Sequence, residues 1–194
     1  MSVLRGLGGP LGVIFFISAV GAFVQRVFLT LSPIIGFQAG RSEVMGAVTL
    51  SVYLAAQAGG TLTSGMLTDR VDRSHLLAYL TALAVPAHLL ALYLPSGSFL
   101  ALVFTACAGF LNMALIPPIV VMAQEMVPES TSISSGIVMG LAWATGSLGV
   151  LATGFLADSI GARSAALVSM PVLFVGTALA FHPALRCYRR PSQS

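Results

Sequence analysis

The stretch GMLTDRVDRS, Gly65 to Ser74, carries Asp69, Arg70, Asp72 and Arg73 in a chain of which only 8% is charged. Carboxylates and guanidiniums this close can form ion pairs. An aspartate can also sit at a helix N-terminus, where the dipole favours it by about 0.3–1 kcal/mol. A second residue type able to do chemistry is Arg26, set in a long apolar run. A cation there is costly and faces a cavity or a partner, so it suits an anionic or carboxylate-bearing solute. The competing reading is that Arg26 snorkels to an interface. Gln25 flanks it and Thr30 follows one turn on. Tyr53 and Gln57 stand one helical turn apart, on one face. Asn112 precedes Pro117 and Pro118, which break the helix ladder and free backbone carbonyls. These five residues, Arg26, Gln25, Tyr53, Gln57 and Asn112, are the candidate solute-binding set. Tyr53, Gln57 and Asn112 would serve equally as hydrogen bonds between helices. His88 could relay protons, but a lone membrane histidine reads more readily as packing.

Nothing here is built for catalysis. The chain has no G-x-x-x-x-G-K-[ST] loop, no H-E-x-x-H and no G-x-S-x-G. Cys107 and Cys187 lie far apart, in neither a disulfide framework nor a metal spacing. No enzyme activity, metal or cofactor is expected. The net charge of +3 is unclustered, unlike a nucleic-acid surface, so no nucleic-acid partner is expected.

The elements that must position these residues follow from composition. The chain is 57% hydrophobic, whereas soluble domains carry about 25% charged residues. The apolar side chains must therefore face lipid. Six continuous apolar stretches run from Leu7 to Gly36, Val44 to Met66, Leu76 to Leu94, Phe99 to Ala123, Ile133 to Ala157 and Ala165 to Phe181. Each approaches the roughly 20 residues that cross a bilayer as helix. Continuous rather than alternating apolarity selects helices over a barrel. The fold class is all-α: a polytopic membrane protein of six transmembrane helices, in one bundle over residues 1–194 with a cytoplasmic tail at 184–194. A leader peptide ending near the SAVGA at Ser18 to Ala22 fits less well. The apolar run continues past that point, and five spans would remain with reversed charge bias.

All nine basic residues are arginine. With the N-terminus inside, the inner face holds Arg5, Arg70, Arg73, Arg186, Arg189 and Arg190, and the outer face only Arg41 and Arg163. This bias puts both termini in the cytoplasm, in the cell's inner or plasma membrane. The pattern G-x-L-x-D recurs at Gly65–Asp69 and Gly154–Asp158, at the exits of the second and fifth spans. That predicts two three-helix repeats, the second entering the membrane inverted relative to the first. Gly136, Gly140 and Ala144 recur every fourth position in span five, a surface another helix can approach closely.

These residues resemble a known family. GMLTDRVDRS is similar to the cytoplasmic loop motif of the major facilitator superfamily, G-x-L-x-D-R-x-G-R-[RK]. Gly65, Leu67, Asp69, Arg70 and Arg73 match. Asp72 stands where glycine is usual and Ser74 where a basic residue is usual, as in the looser copy of the C-terminal half. EMVPESTSISSGIVMG and GFLADSIGAR also look like that family. The resemblance covers most of the chain and one half of a twelve-span transporter. It implies a secondary transporter working by alternating access, driven by an ion gradient rather than a nucleotide, for a small solute or drug, an anionic one included. Gly65, Asp69, Arg70 and Arg73 would be gating residues. In the family the motif aspartate meets a helix N-terminus of the other half. Partners would be membrane lipid, a small-molecule substrate, and a second copy or another six-helix half. In a dimer, Asp69 would approach the opening of the partner's span five, Pro128 to Ser135, and Glu129 would meet Arg70 or Arg73. The alternative is a non-transporting membrane scaffold or a transporter fragment.

Overall fold

The computed structural model describes residues 9–188. Leu7, at the expected start of the first span, and Arg5, Arg189 and Arg190 of the charge count lie outside them. The described chain forms six helical rods. Span one is α1 (Pro10–Gln38), span two α2 (Glu43–Thr68) and span three α3 (Arg73–Tyr93). Span four is α4 (Phe99–Met113) and α5 (Ile116–Met126), joined at a break. Span five starts with a 3-10 turn at Pro128–Ser130. It continues through α6 (Thr131–Ser135) and a π turn at Gly136–Leu141 into α7 (Ala142–Ile160). Span six is α8 (Ala162–Ser169) and α9 (Leu173–Ala180) around a 3-10 turn. Five rods are long and apolar enough to cross a bilayer. The exception is α2, whose 26 residues span about 39 Å. It is long enough, but its Gln, Gly, Ser and Thr content makes it less apolar than the others. The protein is an integral, all-helical membrane protein.

Local chemistry sets the rod ends. At one end, each of the three turns carries a glycine at positive φ: Gly40 at 73°, Gly97 at 76° and Gly161 at 87°. That backbone is open to glycine at no steric cost. The other end uses a polar cap, where the Asp72 carboxylate accepts from the His75 amide at 3.0 Å and opens α3. Back at the glycine end, Ser42 and Ser98 cap α2 and α4 in the same way. The expected tail does not simply hang free. Pro183–Tyr188 is a 3-10 turn, and Leu185 is fully buried in the core.

Packing bears on the repeat. Span two packs on span four, and span five on span one; span three packs on span four, and span six on span one; spans three and six pack on each other. Exchanging one triplet for the other leaves this pattern unchanged. Lipid provides no hydrophobic force between helices, so close approach at small residues must hold the rods. A Cβ on Gly60 would lie 2.1 Å from the Phe110 carbonyl oxygen, and one on Gly109 would lie 2.3 Å from that of Tyr53. In the exchanged pair, a Cβ on Gly146 would lie 2.6 Å from the Ala19 carbonyl oxygen. The stripe Gly136, Gly140, Ala144 takes no part in this packing. It is exposed, and nothing lies within 4 Å of a Cβ on either glycine.

The irregularities of spans four and five are satisfied by the same device. Pro118 has no N–H, which orphans the Ala114 carbonyl one turn earlier. The Ser64 hydroxyl of α2 donates to it. In the π turn, the Ala142 amide bonds the Ile137 carbonyl, so the Val138 carbonyl loses its usual donor. The Ser18 hydroxyl of α1 donates there. Spans four and five thus each take a buried hydroxyl from the rod they pack against, as a dry environment requires.

Candidate functional site: a mid-span cation and a charged loop

Arg26 lies near the middle of α1 and is exposed on the outside of the bundle. Thr30, one turn on, shares that face and is also exposed. The guanidinium carbon stands 5.7 Å from the ring centroid of Trp143, from α7. Such contacts are worth about 0.5–2 kcal/mol, increasing as water is removed. That does not neutralise the charge. All six acids sit at rod ends, and Arg26 makes no ion pair among the described residues. Beside it, Trp143 Nε1 is buried with no hydrogen-bond partner. An exposed cation with an aromatic face but no acid beside it therefore lies on the outside of spans one and five. The guanidinium can serve an acceptor-rich or anionic group.

The other candidate residues do not gather around Arg26. Gln25, its neighbour in sequence, is buried. Tyr53 is fully buried, with its ring stacked on Phe28 at 4.6 Å. Its hydroxyl meets His88 Nε2 at 3.2 Å. His88 Nδ1 lies 2.7 Å from the Ala84 carbonyl. A carbonyl only accepts, so Nδ1 carries the hydrogen and Nε2 accepts from Tyr53. The pair ties span two to span three inside the core. Asn112 Nδ2 donates to the Gly21 carbonyl at 3.2 Å, tying span four to span one. Gln57 is also buried, and its Nε2 has no partner. Asn112 and Tyr53 thus make the interhelical hydrogen bonds that were the competing reading. The sequence reading missed Trp143 and Ser18. A lone tryptophan in an apolar span gives no sign of which rod it meets.

The charged loop is divided into two parts. Asp69 ends α2 and is exposed, as is Arg70. Arg73 is different. It is only 2% exposed, and its NH1 group lies 2.6 Å from Glu125 Oε2 at the end of span four. Its Nε donates to the Thr68 carbonyl at 3.3 Å. This corrects the expectation that Arg73 is free to meet Glu129 of a partner, since the chain's own Glu125 already holds it. Glu129 and Pro128, at the opening of span five, are exposed. Gly65 is half-buried, and nothing lies within 4 Å of a Cβ there.

Comparison with known proteins agrees with this architecture. The chain is 34% identical over 125 residues to an uncharacterized MFS-type transporter, YfnC, of Bacillus subtilis (strain 168), covering 63% of this chain and 30% of that protein. It is 31% identical over 109 residues to the fosmidomycin resistance protein of Escherichia coli (strain K12), covering 56% of this chain and 26% of that protein. The matched stretches therefore span under a third of these relatives' lengths. Residues 11–192 match the sequence profile of the Major Facilitator Superfamily, nearly the whole described bundle. The chain belongs to the Major Facilitator Superfamily.

Proposed function

We propose that this bundle is one wall of a secondary transporter, which moves a small anionic solute or drug across the cell membrane by alternating access, coupled to an ion gradient. The observation that carries the reading is Arg26. An arginine at mid-depth on the outside of an apolar bundle, with no acid to pair, is too costly to face lipid. It calls for an aqueous path along spans one and five. The fosmidomycin resistance protein bears a name consistent with drug handling, which favours a drug-like solute for this chain as well. Proteoliposome uptake tests the role of Arg26. Arg26→Gln should cut transport at least tenfold, and Arg26→Lys less, with the thermal midpoint unchanged. Wild-type uptake by the glutamine variant refutes it.

A path needs a second wall. We propose a second six-helix bundle, most simply another copy, related by an axis along the membrane normal. The arginine bias favours a cytoplasmic position for both ends of the chain. Supporting this are the exposed Asp69, Arg70 and span-five opening, together with the exposed Gly136, Gly140, Ala144 stripe. Asp69 of one copy would cap the span-five opening of the other, and Arg70 would meet Glu129. A cysteine replacing Asp69 should cross-link one replacing Ser132 between chains. A monomer that still transports after reconstitution at high dilution excludes the paired copy.

A further inference from the structure

We propose that the end of the bundle bearing Gly40, Gly97 and Gly161 holds an oxyanion site, formed by Arg41, Arg163, Ser96 and Thr105, that takes a phosphate group. The charges of this end supply the argument. Arg41 follows α1 and Arg163 lies in the first turn of α8, at the same end of the bundle.

Arg41 lines a cavity, and Arg163 meets one of the residues that line it. Ser32, Arg41, Thr49, Ser96, Gly97 and Thr105 line it, among others. Arg163 stands beside it, its NH2 donating to the Ser96 Oγ at 3.4 Å. Neither arginine makes an ion pair among the described residues. The acids of this end, Glu43 and Asp158, are exposed, and Glu43 lines a separate apolar groove with Pro33 and Ile34. Thr105 points independently to a ligand. Thr49 bonds back to the Met45 carbonyl at 2.9 Å. Thr105 is only 2% exposed and has no hydrogen-bond partner among the described residues, leaving its hydroxyl to the cavity. The cavity volume of about 30 Å³ is far below that of a drug-sized site. It suits one compact oxyanion, with two guanidiniums that can each bind it in bidentate fashion. Two sources share this chemistry: a lipid headgroup phosphate at the bilayer surface, and a free phosphate.

Binding to the purified chain tests the site. Native mass spectrometry measures retention of dioleoyl phosphatidic acid against dioleoyl phosphatidylcholine, and equilibrium dialysis measures labelled inorganic phosphate. Wild type should prefer phosphatidic acid, or bind phosphate, by about tenfold over the variant Arg41→Gln/Arg163→Gln. The Arg41→Lys/Arg163→Lys variant should retain part of the affinity. Thr105→Val should lose about threefold, with an unchanged thermal midpoint. Phosphatidic acid that resists excess inorganic phosphate identifies the lipid as the source. Displacement or direct phosphate binding identifies the free ion. Wild type without preference for either probe overturns the site, as does equal binding by the double glutamine variant. Should that variant fold poorly, the single glutamine variants decide, each expected to lose about threefold.

Discussion

Gly60→Ala should leave little folded protein. The added Cβ would sit 2.1 Å from the Phe110 carbonyl oxygen and 2.8 Å from its carbonyl carbon. Those are backbone atoms of α4, so no flexible side chain can move aside. Spans two and four must separate, which also pulls the Ser64 hydroxyl from the Ala114 carbonyl. Overpacking a core costs about 1–3 kcal/mol when side chains can adjust, and more when they cannot. Here a loss of about 3 kcal/mol or more is expected, a large fraction of a marginal stability. Gly109→Ala should act alike, because it presses on the Tyr53 carbonyl from the facing rod. Gly136→Ala and Gly140→Ala are the controls. Their surroundings are open, and the melting of a single bundle should not change. Thermal melting of the purified variants by circular dichroism checks all four. A Gly60→Ala protein that melts like wild type would sink the close-packing account.

Removing the acid that holds Arg73 should be nearly as damaging. Glu125→Ala leaves a guanidinium that is 98% buried without its carboxylate. Breaking a buried pair from one side typically costs 3–5 kcal/mol. Glu125 is itself one-third exposed, so water can partly replace it, and about 3 kcal/mol is the expected loss. Removing both charges together separates this penalty from the net worth of the pair. Arg73→Met combined with Glu125→Leu should recover most of the stability, since the stranded charge is gone. Unfolding of the single and double variants in mixed micelles gives the comparison. Equal loss in the single and the double variant would show that packing by the Arg73 stem, not charge, holds the loop. The pair also locks the loop's second arginine into its own bundle. Asp69 and Arg70 differ from it in being exposed and in making no ion pair among the described residues.

The sequence alone determined the solvent, the fold class and the number of rods. With 8% charge and long apolar runs, the backbone must satisfy itself, and helices are the economical way to do so. The rod boundaries were nearly legible too, because loops of a membrane bundle concentrate the polar residues. Second-triplet symmetry could be read from Gly65–Asp69 and Gly154–Asp158, since repeats keep their exits. What the sequence could not decide was which way a residue faces within a rod. In soluble helices a polar stripe marks the outside, but lipid and core are both apolar, so periodicity carries little information. Arg26 could be read as facing a cavity or snorkelling, and the structure sets it on the outside of the bundle beside Trp143. Its sequence neighbour Gln25 faces inward, as do Tyr53, Gln57 and Asn112. Small residues were ambiguous for the same reason. Gly136 and Gly140 read as a surface another helix can approach, and within this bundle the close approaches fall on Gly60, Gly109 and Gly146 instead. Ser18 and Ser64 were unremarkable as letters. Only the tertiary structure sets each of them opposite a carbonyl orphaned by a π turn or by a proline, because such a partner lies on another rod and far along the chain.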